Sequence, residues 1–398
     1  LTVALPVLAV IGDIKPDPFV PDPSGNGRGI AYDGGSTLYY SIVGDSNIYM
    51  ATTGGASLGP IPNPGRTFTC GVLEWDGTDL WCGTYDGTGT GGPGTADVYT
   101  ISPVTGAAVL KFNSVAFGGF AADNCFGQPT GFMDGLSLDS DGSLWLSDDA
   151  GRTLYHVTPA GALIAAFPTP TRPTSVGPGC NSGIEVTPGG FLELVLLGNP
   201  IDPAGDASHY IVKVAKAAPS GPVIVSFPTL DSLCCEDLAY DANTFAPRAV
   251  LWANGPNNVI KAYDVQVTRT IGYWKNHPAE DFDGTSFLPI SLGNEGDTAT
   301  FCQIVDLQSE VKPIMDAAKS KEAAYMLKAQ LLAAKLNIAM GDIPPGDLAA
   351  IGPTITAADA LLSFNAGCTP ATGKGGADRA AATALASTLD AFNNLYSP

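Results

Sequence analysis

The chain has 398 residues, which is long for a single hydrophobic core and predicts about two domains. Charged residues make up only 15% of it, and 39 acidic against 19 basic residues give a net charge of −20. Because the negative potential of such a protein repels phosphate groups, nucleic acid and anionic membrane surfaces are poor partners. Divalent cations are compatible with this charge. No apolar run of about 18 residues occurs, so no membrane span is predicted.

The chain opens with an apolar, β-branched run at residues 1–11, which predicts a β-strand, and a proline-rich spacer follows at 16–23. The run has neither a methionine nor a basic segment before it, which is typical of a mature product without its signal peptide. Eight cysteines without a CxxC pair, beside only three histidines, favour disulfides over a zinc site. We therefore expect a secreted or cell-surface protein in an oxidising compartment.

A unit of two short strands joined by a tight turn recurs through residues 1–266. The copies begin at residues 29, 71, 135, 183 and 236, and GLSLDSDGSLWLSD is the third of them. Alternating apolar residues predict half-buried strands, and Asp/Gly turns supply hairpin geometry. Third strands are predicted at 47–52, 97–102, 153–158, 209–214 and 258–265, and fourth strands at 107–112, 162–167 and 222–227. This rhythm predicts an all-β propeller with five blades, or six if the N-terminal residues contribute more than one strand.

The order of strand, Asp-x-x-Gly turn, Trp-bearing strand and outer strand ending in Phe resembles the NHL-like propellers. That group includes gluconolactonases, strictosidine-synthase-like proteins and streptogramin lyases. The resemblance implies a fold more strongly than an activity. In lactonase-type relatives a channel metal acts as a Lewis acid, but the Glu-Gly-Pro segment that usually carries its first ligand is missing here. A lyase would need a histidine pair at the channel mouth, whereas His156 and His209 lie on predicted third strands.

Acidic residues at the starts of the innermost strands are the candidates for a channel metal. Glu74, Glu185, Glu236 and Asp237 occupy such positions, and carboxylate oxygens suit Ca²⁺. We predict Glu185, Glu236 and Asp237 as ligands, with Ca²⁺ as the candidate cofactor. The alternative is that these side chains are ordinary solvated or turn carboxylates.

A propeller must also close its ring. In the simplest arrangement residues 2–11 return to complete the last blade, which removes an open sheet edge. In the alternative arrangement this strand pairs with a neighbouring molecule and builds a fibre by strand addition.

The cysteines suggest how the blades are held. Cys70 and Cys82 flank one hairpin and are placed to bridge neighbouring strands. Four others stand before inner strands, so that pairing among them would join blade to blade, with three connectivities open: Cys125, Cys180, Cys234 and Cys235. Cys302 and Cys368 are the only cysteines of the C-terminal third and are predicted to pair with each other.

Residues 267–398 predict a small, mostly α-helical domain. Good helix formers and an apolar stripe predict helices at 320–340 and 376–395, and shorter ones at 298–307 and 354–364, each opening with a threonine N-cap. TRTIGYWKNHP at 268–278, together with the later segment QLLAAKLN, resembles a C-terminal domain carried by many secreted bacterial proteins. The resemblance implies export and no defined reaction.

Within that motif, Tyr273 and Trp274 are predicted to anchor the helical domain by packing. Lys275 and His277 can transfer protons and are the catalytic alternative. A lone histidine without a partnered carboxylate at fixed spacing favours the packing role.

The sequence thus predicts a secreted, non-enzymatic binding or structural protein with protein partners, including further copies of itself in a fibre or matrix. The alternative is a metal-dependent propeller enzyme, a lactonase-type hydrolase or a lyase.

Overall fold

The computed structural model describes residues 19–265 and 271–394 with gaps, and the described residues divide into two compact units, one within residues 12–265 and one within residues 266–398. The gaps of the first unit are residues 126, 128, 173–177, 189, 198–208, 222, 224, 230–234, 246–248 and 256–258. Those of the second are residues 277–289, 294–302, 306–307, 320–321, 341–342, 344, 364–371 and 373–375. In the described part, no helix has the length and apolar character needed to cross a membrane.

The first unit is a five-bladed β-propeller, as predicted. Blades 1 and 2 comprise β1 Gly27–Tyr32, β2 Thr37–Ile42, β3 Ile48–Thr52, β4 Ser57–Pro60, β5 Cys70–Trp75, β6 Leu80–Thr84, β7 Asp97–Ile101 and β8 Ala108–Asn113. Blades 3 to 5 comprise β9 Met133–Leu138, β10 Leu144–Asp148, β11 Thr153–Val157, β12 Leu163–Pro168, β13 Cys180–Thr187, β14 Phe191–Leu197, β15 Tyr210–Ala215, β16 Val225–Pro228, β17 Asp237–Asp241, β18 Val250–Asn254 and β19 Lys261–Asp264. The inner strands β1, β5, β9, β13 and β17 contact one another in this order, and β17 contacts β1, which closes the ring.

The repeated aspartate of the first hairpin turn explains the sequence rhythm. Asp76 accepts hydrogen bonds from the backbone N–H groups of Thr78 and Asp79 through Oδ1, and from the Trp81 indole through Oδ2 at 3.0 Å. Asp241 accepts from the Trp252 indole in the same way, at 2.8 Å. One carboxylate therefore fixes the turn and orients the aromatic residue of the second strand, which explains why Asp and Trp recur together.

The inner strands approach one another closely because glycines stand near their starts. A Cβ atom on Gly71 would overlap the carbonyl oxygen of Met133 on β9, and one on Gly135 would lie 2.7 Å from the carbonyl oxygen of Ser182 on β13. Between the sheets lie separate apolar clusters, such as the one that joins blades 5 and 1 around Tyr40 and Trp252. The propeller thus buries its apolar surface between adjacent blades and keeps its axis for polar groups.

Two disulfides lie in the described part of the propeller. Cys70–Cys82 links β5 to β6 as predicted, and Cys125–Cys180 joins the loop before β9 to the start of β13, so it connects blades 3 and 4. Cys235 is also disulfide-bonded, and its partner lies outside the described residues. The predicted Cys302–Cys368 pair and Cys234 lie outside them too. Disulfides of this kind indicate an oxidising environment.

Blade 5 shows three strands and one further bridge. Phe19 exchanges both backbone hydrogen bonds with Ile260, at 3.2 and 2.9 Å, next to the outer strand β19. The segment before blade 1 therefore reaches the fourth-strand position of the last blade. Residues 2–11, which carry the two predictions about closure, lie outside the described residues.

The second unit is mostly helical. It comprises α1 Ile271–Asn276, β20 Ile290–Leu292, β21 Gln303–Val305, α2 Gln308–Ala317, α3 Ala323–Met340, α4 Pro345–Ser363 and α5 Arg379–Asn393. Helix α3 contacts α1, α2, α4, α5 and β20, so it is the central helix of this unit. It is buried on most of its circumference and not along one stripe as predicted, since Leu327, Leu331, Leu332 and Leu336 are all fully buried.

Two helix predictions need correction, and one helix was not predicted. The prediction at 298–307 is wrong, because residues 303–305 form β21 and pair with β20 through Ile290 and Val305. The helix predicted at 354–364 begins nine residues earlier, at Pro345, since proline fits the first helical turn. Helix α2 was not predicted, and its internal Pro313 accounts for the weak signal.

Trp274 of the GYWKNHP motif lies in α1 and is fully buried. Its indole nitrogen donates a hydrogen bond to Asn337 Oδ1 of α3 at 3.2 Å, while Lys275 pairs with Asp316 of α2 at 2.5 Å. The side chain of Tyr273 and all of His277 lie outside the described residues. The resemblance of this unit to the secreted bacterial domain stays a prediction.

The close contact of the inner strands can be tested with glycine substitutions. Gly71→Ala should lower the free energy of unfolding by about 2 kcal/mol or more, since the methyl group has no space beside Met133. Gly352→Ala in α4 is the matched control, because nothing lies within 4 Å of its added methyl group. It should raise the stability by about 0.5–1 kcal/mol through helix propensity. Chemical denaturation measures both, and equal effects would contradict the packing account.

Candidate site in the propeller channel

The inner strands bring one cation and three carboxylates together at one end of the channel. Arg28 lies on β1, Asp134 on β9, and Glu236 directly before β17. Asp149 follows β10 and is the only half-exposed member of these four. They come from blades 1, 3 and 5, and we call them the mouth cluster.

Arg28 holds the mouth cluster together. Its Nη1 forms an ion pair with Glu236 Oε1 and lies 3.7 Å from Asp134 Oδ2. Its guanidinium lies 4.6 Å above the ring of Tyr85, whose hydroxyl donates a hydrogen bond to Asp149 Oδ2 at 2.6 Å. A planar guanidinium suits this place because it pairs with carboxylates at its edge and stacks with its face.

The remaining negative charge of the mouth cluster is reduced by protonation. Burial, the Asp149 charge and the Glu236 charge raise the pKa of Asp134 well above its ordinary value, although Arg28 acts in the opposite direction. Asp134 and Asp149 are within hydrogen-bonding reach of each other, and burial raises the pKa of Asp149 too. A proton on Asp134, donated toward Asp149, then leaves Arg28 opposite two carboxylates.

The mouth cluster is also the place to test for a metal ion. Asp134, Asp149 and Glu236 each offer an oxygen within 4.8 Å of the others. Oxygen ligands at this spacing suit Ca²⁺. However, Arg28 already contacts Asp134 and Glu236, and it is 9% exposed. A dication among these oxygens would face a fixed guanidinium within a few ångströms, so the residues present do not fit a metal while Arg28 stays in place.

Asp237 lies deeper and serves a different role. Its Oδ2 accepts hydrogen bonds from the N–H of Ile30 on β1 at 2.8 Å and from the N–H of Leu73 on β5 at 3.1 Å. Asp237 stands four residues before Asp241, the aspartate of the first hairpin turn of blade 5. At the equivalent position, blades 1 and 3 have a glycine. One carboxylate of blade 5 thus binds the inner strands of blades 1 and 2.

Glu185 belongs to a second acidic group along the channel, with Glu74. Glu185 accepts hydrogen bonds from Ser137 Oγ at 3.1 Å and from the Tyr240 N–H at 2.9 Å, and its side chain is also hydrogen-bonded to Glu74. Burial raises the pKa of Glu185 to about 7, and burial with the Glu185 and Asp237 charges raises that of Glu74 well above its ordinary value. The Glu74 carboxyl lies deep in the protein although part of its side chain is accessible, as expected beside a channel.

The predicted ligands therefore lie in three environments: Glu236 in the mouth cluster, Asp237 on backbone amides and Glu185 beside Glu74. Arg28, Asp134 and Asp149 were not predicted, although each flanks a predicted strand. The sequence did contain one signal. The side chains of neighbouring residues in a strand point to opposite faces, so the side chains of Glu236 and Asp237 are expected to lie in different environments. The metal assignment itself stays a prediction.

Comparisons with known proteins show only distant similarity to solved structures. No family model and no curated protein matches the chain. A luciferin-regenerating enzyme is 14% identical over 62% of this chain and 94% of that chain, with a TM-score of 0.38. A streptogramin B lyase is 12% identical over 61% and 66%, with a TM-score of 0.33. Virginiamycin B lyase from Staphylococcus aureus is 13% identical over 62% and 68%, also with a TM-score of 0.33. These values are too low for any of the named activities to be carried over.

The acidic channel predicts a loss of stability with rising pH. Because the pKa of Glu185 is raised to about 7, the folded protein binds more protons than the unfolded chain from about pH 4.5 upward. The contribution of Glu185 to the free energy of unfolding is complete below about pH 4.5 and is lost as the pH rises through 7. Asp148 acts in the same direction, since burial raises its pKa to about 7. The melting temperature should therefore fall between about pH 5 and pH 8.

Glu185→Gln should reduce this fall by on the order of 5 °C, because the amide does not titrate. Asp86→Asn, at an exposed carboxylate, is the control and should leave the slope unchanged. Thermal unfolding from pH 5 to pH 8 measures it, and a wild-type melting temperature that rises with pH would contradict the assignment.

Proposed function

We propose that this protein is a non-enzymatic, extracellular or cell-surface binding protein whose propeller channel is a structural element. The observation that carries the proposal is the position of Arg28 among the carboxylates of the mouth cluster. A channel enzyme of the metal-dependent type needs a Lewis acid with an open coordination position. Arg28 instead provides a fixed charge that neither polarises water nor exchanges ligands.

The other groups of the channel support the same function. One carboxylate oxygen of Asp237 accepts hydrogen bonds from two backbone amides. Both carboxylate oxygens of Glu185 accept hydrogen bonds, one from the Ser137 hydroxyl and the other from the Tyr240 N–H. These are contacts that hold blades together, and they engage the oxygens that a catalytic role would require. The disulfides Cys70–Cys82 and Cys125–Cys180 support a location outside the cytoplasm.

The second candidate is a metal-dependent hydrolase at the same mouth. Two observations favour it: Asp149 is half-exposed, and Asp134 Oδ1 is buried and accepts no hydrogen bond. Such an oxygen requires either a proton or a cation. In this candidate, Arg28 would have to leave Asp134 and Glu236 when the cation binds.

Calcium titration separates the two candidates. With Arg28 in place, millimolar CaCl₂ should not change the melting temperature of the wild-type protein. Arg28→Gln removes the competing charge, so calcium at about 100 times its dissociation constant should stabilise that variant by about 2.7 kcal/mol. Arg152→Gln, at an exposed arginine of the same unit, is the matched control and should show no calcium effect.

Adding Asp149→Asn to Arg28→Gln should abolish the stabilisation by calcium, which would show that the calcium binds at the mouth cluster. Wild-type protein stabilised by calcium as strongly as Arg28→Gln, together with hydrolysis of a simple lactone, would contradict the proposal and establish the second candidate.

A further inference from the structure

The helical unit contains a groove between α1, α3 and α5. Residues of all three helices line it, among them Ile271, Met326, Gln330, Arg379 and Asp390. Its volume is about 490 Å³, which falls within the range of sites for small molecules. We call it the helical groove. The proposed role of the channel makes no use of it, so the groove is available for a ligand of its own.

A chain of buried side-chain amides fixes the floor of the helical groove. Gln330 is 3% exposed, and it donates a hydrogen bond to Asp390 Oδ1 at 2.6 Å and accepts one from Asn393 at 2.8 Å. Asn337 donates to Asn393 Oδ1 at 2.9 Å and accepts from the Trp274 indole at 3.2 Å. Gln330 and Asn337 are the first and last residues of the segment QLLAAKLN. The two sequence motifs of this unit are therefore joined by one polar network, which ends at Asp390 and orients its carboxylate.

Two of the three charged residues that line the helical groove compensate each other. Glu322 Oε1 accepts a hydrogen bond from the hydroxyl of Thr372 at 3.2 Å, and Arg379 Nη1 donates one to the carbonyl oxygen of Thr372 at 3.1 Å. Thr372 itself is fully buried. Because the two opposite charges are held on one residue, their fields largely cancel for a ligand in the groove.

Asp390 is the charge that remains. It stands eleven residues after Arg379 on α5, which places it three helical turns and about 16 Å along the axis. Its Oδ1 accepts hydrogen bonds from Gln330 and, at 3.3 Å, from Asn394, whereas its Oδ2 accepts none from a described residue. Asp390 also lies in the last turn of α5, where the helix dipole favours a cation. This end of the helical groove therefore attracts a positive group.

The wall between the two ends suits a hydrocarbon chain. Ala323 and Ala386 are buried in it, and Met326 lies along it and is 36% exposed. A methionine side chain is flexible and polarisable, so it adapts to alkyl groups of different shape. The helical groove thus combines an apolar wall with one uncompensated carboxylate.

We infer that the helical groove binds an aliphatic ammonium ion, with its alkyl chain against Met326 and its ammonium group on Asp390. A primary ammonium group has three donors, and Asp390 Oδ2 offers it an acceptor. Lysine side chains of a partner protein and free polyamines both have this chemistry. The net charge of −20 attracts either of them over longer distances. The inference goes beyond the proposed function, because it concerns the helical unit and not the channel.

NMR of the full chain labelled at its methionine methyl groups tests the inference, with hexylamine as the probe. Hexylamine is an ammonium ion at neutral pH. The Met326 signal, assigned by its loss in Met326→Leu, should shift saturably with a dissociation constant of about 1–10 mM. Hexanol should bind about fivefold more weakly, and so should hexylamine to Asp390→Asn. Asp347→Asn, at a carboxylate of α4 outside the lining, is the matched control and should bind hexylamine like the wild type.

A pair of threonines on α5 tests the position of the probe. Thr383 and Thr388 are both exposed, and each donates its hydroxyl to the carbonyl oxygen four residues earlier, at 2.8 and 3.2 Å. Only Thr383 lines the helical groove. Thr383→Phe should therefore abolish the binding of hexylamine by filling the groove, and Thr388→Phe should leave the dissociation constant unchanged.

Three results would overturn the inference. The first is a Met326 signal that does not respond to hexylamine, and the second is equal affinity of the wild type and Asp390→Asn. The third is tighter binding of hexanoate than of hexylamine, which would make Arg379 the recognised charge.

Two larger probes distinguish the sources of the ammonium group. Tighter binding of the peptide acetyl-Ala-Ala-Lys-Ala-Ala-amide than of spermidine would support a lysine of a partner protein, and the reverse order would support a free polyamine. Neither measurement depends on calcium or on the channel, so failure here is distinct from failure of the proposed function.

Discussion

The carboxylate of Asp237 is the interaction on which the propeller most depends. Four inner strands can approach one another because glycine removes the side chain near their starts, and the fifth strand carries an aspartate instead. That aspartate accepts hydrogen bonds from strands of the two following blades, so the last blade is bound to the first and second. A buried carboxylate is costly unless its hydrogen bonds are satisfied, and amides of neighbouring strands satisfy it while closing the ring.

The same ring concentrates negative charge along its axis. Asp134, Asp149 and Glu236 at the mouth, Asp237 in the middle and the pair Glu74 and Glu185 form a line of carboxyl groups in a protein that is already acidic. Protons shared between neighbours reduce this charge, and Arg28 supplies the positive charge at the mouth. The residues present do not fit a metal ion, because the Arg28 guanidinium already lies among the oxygens that the ion would need.

Much of the fold could be predicted because it rests on local chemistry. The turn aspartate, the tryptophan that follows it and the alternating strands lie within one hairpin, so sequence alone reveals five blades and the Cys70–Cys82 disulfide. Contacts between distant residues could not be predicted in this way. Arg28 and Glu236 are far apart in the chain, and only ring closure brings them together. Residues 303–305 were assigned to a helix, since the partner strand that makes them β-structure has no local signal.

The channel carries the central claim. Diffraction from crystals grown with MnCl₂ tests it most directly, because manganese ions give an anomalous signal at an oxygen-rich site. The account predicts the Arg28 guanidinium in density between Asp134 and Glu236, with no anomalous peak among Asp134, Asp149 and Glu236. An anomalous peak within coordination distance of these oxygens, with Arg28 displaced, would contradict it.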